Sequence, residues 1–114
     1  MSSETVKPMA ARDNAGKAPL ATELGWFDWD WVATHAAAGR LKYPDVDGRP
    51  NWLLGGKPDG EYLNAIARHN QSLVRGEVHD PETGTSHAAA IVMNAMMMLT
   101  NNYSDHPRQV DVGS

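Results

Sequence analysis

Histidines, carboxylates, an arginine and an asparagine crowd one stretch of this chain: Arg68 and His69, then Glu77, Asp80 and Glu82, then His87 and Asn94. Carboxylates grouped this closely suit a hard divalent cation, Mg2+ (or Mn2+), which takes oxygen ligands and keeps several waters. A guanidinium beside them can pair with phosphate oxygens through its planar fork. Histidine titrates near neutrality, so His69 or His87 could take a proton from an attacking water. Each residue also has a plainer use. Three acids in a turn are commonly a solvated loop, and a histidine on an apolar face is commonly a satisfied core residue. The His79-Asp80 pair alone is too short to mark an HD-type metal phosphohydrolase. Asp13-Asn-Ala-Gly-Lys17 lacks the first glycine, the strand and the Ser/Thr of a P-loop.

The elements that must position these groups are helical, and the fold class expected is all-α with three main helices. Thr22 resembles an N-cap and Gly39 a terminator for a first helix over about 23–39. Its apolar residues fall on two faces, Trp26, Trp29, Ala33, Ala36 and Ala37 against Leu24, Phe27, Trp31 and Ala38. Residues 43–60 hold Pro44, Gly48, Pro50, Gly55, Gly56, Pro58 and Gly60, which predicts a long Gly/Pro-rich loop, with Trp52, Leu53 and Leu54 packing it back onto the body. Asp59 is placed to cap a second helix over about 60–75. Its apolar arc is Tyr62, Leu63, Ala65, Ile66, Ala67, Leu73 and Val74, interrupted by His69 and Asn70. Gly76 ends it. An eight-residue acidic turn, 77–84, leads to Thr85 or Ser86 and a third helix over about 86–101 that is apolar all round. On that helix His87, Asn94 and Asn101 recur every seven residues and form one polar line. The second and third helices should pair antiparallel, bringing His69 and His87 together near the turn, with the Trp-rich helix covering them.

Composition sets the outer limits. At 114 residues the chain has room for one domain, expected over 21–102 between an N-terminal arm, 1–20, and a C-terminal tail, 103–114. A formal net charge of −4 excludes a general nucleic-acid coat, and zero cysteines exclude disulfides and thiol chemistry. The apolar run from His87 to Leu99 is shorter than the ~20 residues a membrane crossing needs, and no signal peptide opens the chain; a soluble, cytoplasmic protein is expected. Three helices of this size bury little alone, so the methionine-rich third helix predicts a homo-oligomer.

The segment Glu61-Tyr-Leu-Asn-Ala-Ile-Ala-Arg68-His69, then Gly76-Glu77-x-x-Asp80-Pro-Glu82-Thr-Gly84-x-x-His87, then Asn94, resembles the dATP/dGTP diphosphohydrolase N-terminal domain family, small phage-associated proteins. Asp13-x-x-Gly16-Lys17-x-Pro19-Leu20, Lys42-Tyr43 and Asn51-Trp52 extend the similarity over about residues 13–100. Glu61 stands where the family pattern has arginine. The helical E-x-x-E and E-x-x-D pairs of better-known all-α pyrophosphohydrolases are missing. The resemblance implies metal-dependent hydrolysis of a purine deoxynucleoside triphosphate to monophosphate and pyrophosphate in phage nucleotide metabolism, in the host cytoplasm. On that basis Glu77, Asp80 and Glu82 are expected to hold Mg2+ (or Mn2+), and His69 and His87 to serve catalysis. Arg68, Lys42, Asn94 and Trp52 are expected to contact the nucleotide, with Asn94 also fixing a histidine rotamer. Two alternatives stand beside it: a nucleotide-sequestering binder without turnover, and an oligomeric phage structural or assembly protein.

Overall fold

The structure, a computed structural model, describes residues 17–104. Asp13 and Gly16 of the N-terminal motif, and most of the expected arm and tail, lie outside the described residues. Among the described residues the backbone is helical and contains no strand, only two isolated antiparallel bridges, Val46 with Arg49 and His79 with Ser86. The helices are α1 (Leu20–Leu24), α2 (Asp30–Lys42), α3 (Asp59–Val74) and α4 (His87–Met98). A 3-10 turn spans Asn51–Leu54, and a wide π-helical turn, Leu99–Tyr103, extends α4.

The expected helix over 23–39 is two helices instead, and local chemistry accounts for the break. Gly25 ends α1 with its N–H on the Ala21 carbonyl at 3.1 Å, in a backbone where an added Cβ would stand 2.5 Å from the Ala21 oxygen. Two indoles then satisfy nearby carbonyls, Trp26 Nε1 donating to Thr22 at 2.9 Å and Trp29 Nε1 to Leu24 at 2.8 Å. The Asp28 carboxylate accepts the Asp30 N–H at 3.1 Å, offering the backbone an alternative to helix before α2 begins. Thr22 therefore lies inside α1 rather than capping a long helix. Gly39 does not terminate α2: the helix runs on to Lys42, with the Tyr43 N–H bonding the Gly39 carbonyl. Nor does the Trp-rich segment form one covering helix; Trp26 is 90% exposed and Phe27 and Trp31 are also exposed.

The expected hairpin is present, and α3 against α4 is the main packing of the molecule, with α2 crossing α4 more lightly. On α3 the covered stripe is narrower than the apolar arc. Tyr62 is buried and Ala65, Ile66, His69 and Leu73 are half-buried, at the spacing of one helix face, whereas Leu63 and Val74 are exposed. His69 thus belongs to the packed face, and Asn70 is exposed. On α4, Ala89 and Ala90 are buried, while Val92, Met96 and, beyond α4, Leu99 form an exposed apolar stripe.

The long loop is tied to the body near Trp52, although Leu54, expected to pack there, is exposed. Asn101 donates through Nδ2 to the Trp52 carbonyl at 2.9 Å and to the Tyr62 hydroxyl at 3.2 Å. Gly55, at φ +71, lies against the Asn101 side chain. Asp59 is the first residue of α3 and not its cap: its carboxylate accepts from Asn102 Nδ2 at 2.8 Å and from the Tyr103 hydroxyl. These bonds lock the start of α3 to the end of α4.

Candidate functional site

The other end of the hairpin carries the chemistry. Helix α3 stops in a Schellman motif: Gly76, at φ +90, bonds back to the Leu73 carbonyl at 2.9 Å and Glu77 to the Ser72 carbonyl at 2.9 Å. Glycine is required there because the left-handed conformation strains any residue with a Cβ. The motif reverses the chain and delivers Glu77 toward α4. The acidic turn that follows is tied rather than loose. Asp80 N–H bonds the Thr85 carbonyl at 2.8 Å, Gly84 N–H the Asp80 carbonyl at 2.6 Å, and His87 N–H the Val78 carbonyl at 3.0 Å. Asp80 Oδ1 accepts the Glu82 N–H at 2.9 Å. Ser86 caps α4 by accepting the Ala89 N–H at 3.2 Å, which fixes His87 as the first helical residue.

Three elements then bring imidazoles together. His69 from α3 and His87 from α4 face each other through Nδ1 atoms 2.8 Å apart. His87 is 4% exposed, and its Nε2 meets Glu77 Oε1 at 2.8 Å. A carboxylate accepts only, so the His87 proton sits on Nε2 and its Nδ1 presents a lone pair to His69. One donor atom from each of His69, Asp80 and His87 lies within 4.8 Å of the other two.

From α2, His35 joins edge-on, its ring 6.5 Å from that of His69, with Nδ1 2.8 Å from the buried Thr85 hydroxyl. The Thr83 hydroxyl continues the chain at 2.8 Å from that of Thr85. Burial pushes the His69 imidazole below its ordinary value, as do His87 and Arg68, while Asp80 pulls the other way. Burial also lowers His35, helped by His69 and opposed by Asp80. The two rings therefore favour the neutral form, which can accept a proton or bind a cation.

The remaining expected residues divide by position. Lys42 is beside the turn, its Nζ 3.1 Å from Glu82 Oε2, so this lysine and this acid neutralise each other. Glu77 and Asp80 have E-x-x-D spacing but stand on the turn and not on a helix, and Glu77 is occupied by His87. Arg68 is exposed on α3, lining a shallow depression with Ala67, Asn70, Gln71 and Val74. Asn94 gives its Nδ2 to the Ala90 carbonyl one turn back at 2.8 Å. Glu77, and not Asn94, holds the histidine rotamer, because Asn94 lies two turns, roughly 10 Å, along α4 from His87. Trp52 is bound at the Asn101 end, about four turns away or roughly 20 Å, so it is not gathered with the histidines.

His35 and Thr85 escaped the sequence-based reading. The signal for His35 was a lone imidazole on an alanine-rich helix, on the same face as Trp31 and Lys42. In the structure those three residues meet the turn together, Trp31 through the His79 ring at 5.3 Å.

This geometry can hold a cation, move a proton and, through Lys42, meet an anion. No described helix is long and apolar enough to cross a membrane. No curated protein and no solved structure matches the chain. A family model described as dATP/dGTP diphosphohydrolase, N-terminal, matches residues 10–110, taking in the histidines, the acidic turn and the three helices that carry them. The chain belongs to that family.

Proposed function

We propose that the chain hydrolyses a purine deoxynucleoside triphosphate to monophosphate and pyrophosphate, with the hairpin end as the reacting site. The observation that carries this is the convergence of His69, Asp80 and His87 beside a carboxylate that orients one of the rings. The family description, which names dATP and dGTP, supports the substrate class. In the step envisaged, a water oxygen attacks the α-phosphorus, the bond from that phosphorus to the β-bridging oxygen breaks, and pyrophosphate leaves. His69 takes the water proton; its lowered affinity for protons keeps it available as a base. Asp80 would hold Mg2+ (or Mn2+), joined by Glu82 or Glu77 only when these leave Lys42 or His87. The ion would neutralise triphosphate charge. Lys42, already beside the turn, would take a phosphate oxygen in exchange for Glu82, and Arg68 would approach from the exposed face of α3. The test is pyrophosphate release from each deoxynucleoside triphosphate by wild type and Asp80→Ala with Mg2+ or Mn2+. Turnover by wild type and its loss in the variant are expected; no turnover of any nucleotide by wild type ends the proposal.

A nucleotide-sequestering role is favoured by one observation, that the described helices carry no E-x-x-E or E-x-x-D pair. Tight binding by isothermal titration, without metal and without product, would select it. We also propose that the chain works as a homo-oligomer, supported by the exposed apolar stripe on α4 and the exposed Trp26, Phe27 and Trp31.

A further inference from the structure

The histidine pair has a feature that proton transfer alone leaves unexplained. Two Nδ1 atoms 2.8 Å apart can share only one hydrogen. The Glu77 contact keeps the His87 hydrogen on the far nitrogen, Nε2. The His87 Nδ1 lone pair is therefore directed toward His69. Orientation of one imidazole nitrogen by a carboxylate, with the other left bare, is how proteins prepare histidine for a metal. The spacing agrees. Ligands about 2.0–2.1 Å from a metal lie roughly 2.8–3.4 Å apart at octahedral or tetrahedral angles. The two Nδ1 atoms fall at the short end of that range, and a carboxylate oxygen of Asp80 lies within 4.8 Å of a nitrogen of each histidine.

We propose that His69 Nδ1, His87 Nδ1 and Asp80 are the ligands of a divalent transition-metal ion of the Mn2+, Fe2+, Co2+ or Zn2+ class, with Glu77 as the positioning residue. Two imidazoles and one carboxylate are a poor match for Mg2+, which prefers oxygen throughout, and a good one for this class. Three protein ligands also leave positions for water or a phosphate oxygen, as catalytic sites require and closed structural sites do not. His35 is outside the set: its Nδ1 is engaged by Thr85. The ion's use rests on the hydrolytic role proposed above, with His69 then holding the ion and no longer taking the water proton itself, whereas its binding rests on geometry alone.

The experiment needs no nucleotide. The full chain, stripped of metal with a chelator, is titrated with Co2+ while visible d–d absorption is followed, then challenged with excess Mg2+. Wild type should give a band at one equivalent that Mg2+ does not displace. His69→Ala and His87→Ala should lose the band. Glu77→Gln, which preserves shape, should weaken Co2+ affinity about 10–100-fold without losing helical circular dichroism. Failure of wild type to bind, or a band that survives in both histidine variants, overturns the ligand set. Co2+ binding without pyrophosphate release would uphold the ligand set and remove the hydrolytic proposal. Pyrophosphate release with Mg2+ in a chain that does not bind Co2+ would do the reverse.

Discussion

At the scale of single residues, the site depends on side chains that fix one another more than on any one catalyst. Glu77 sets the His87 tautomer, and Thr85 joins His35 to Thr83. Thr85 is 4% exposed, so replacing its hydroxyl by a methyl removes the hydrogen-bond partner of the half-buried His35 and Thr83. Thr85→Val is expected to cost about 1–3 kcal/mol in urea unfolding, more than an exposed Thr→Val change would. Much of the cluster was legible in the sequence. His69, Asp80 and His87 flank one short turn, so any antiparallel hairpin brings them near each other. His35 was not legible, because it comes from a distant helix and its place depends on how α2 crosses the hairpin. The roles of Glu82 and Asn94 were not legible either: composition cannot say that one acid pairs with Lys42 or that an amide bonds back to its own helix.

At the scale of elements, the hairpin is held at both ends by local chemistry, and each end makes a prediction. Gly76 at φ +90 reverses the chain, and an added Cβ there would meet nothing within 4 Å. Gly76→Ala should therefore destabilise through backbone strain alone, by about 1–2 kcal/mol, seen as a lower Tm, with Gly76→Asn less severe. At the opposite end, hydrogen bonds from Tyr103 and then Asn102 hold the Asp59 carboxyl below its ordinary value of 3.8. A depressed folded-state value means stability that is present above the unfolded-state value and lost as pH falls through the folded one. Unfolding midpoints measured across that acid range should fall more steeply for wild type than for Asp59→Asn. Helix α3, the hairpin and Gly76 as terminator could be read from periodicity and glycine placement. The split of the first helix could not, because its pattern stays helical while Gly25, the Asp28 carboxylate and two indoles satisfy the backbone in another way.

At the scale of the whole molecule, the apolar residues outnumber what the described residues bury. Tyr62, Ala89 and Ala90 are the buried hydrophobic residues among them, while Val92, Met96 and Leu99 form an exposed stripe. Apolar surface of this kind gains about 25 cal/mol per Å2 when covered, which is the physical basis for the proposed homo-oligomer. Light scattering should show a multimer for wild type and a smaller species for Val92→Asp combined with Met96→Asp; a monomeric wild type contradicts the proposal. Nucleotide hydrolysis at this hairpin end is open to site-mapped turnover. Pyrophosphate release from dGTP is measured with a saturating divalent cation for wild type, His69→Ala, His87→Ala and, as a control, Arg40→Ala, whose partner Asp45 lies outside the cluster. Release by wild type and Arg40→Ala alike is expected, with a loss of about 100-fold or more in both histidine variants. Equal release by wild type and the histidine variants would contradict hydrolysis at this end.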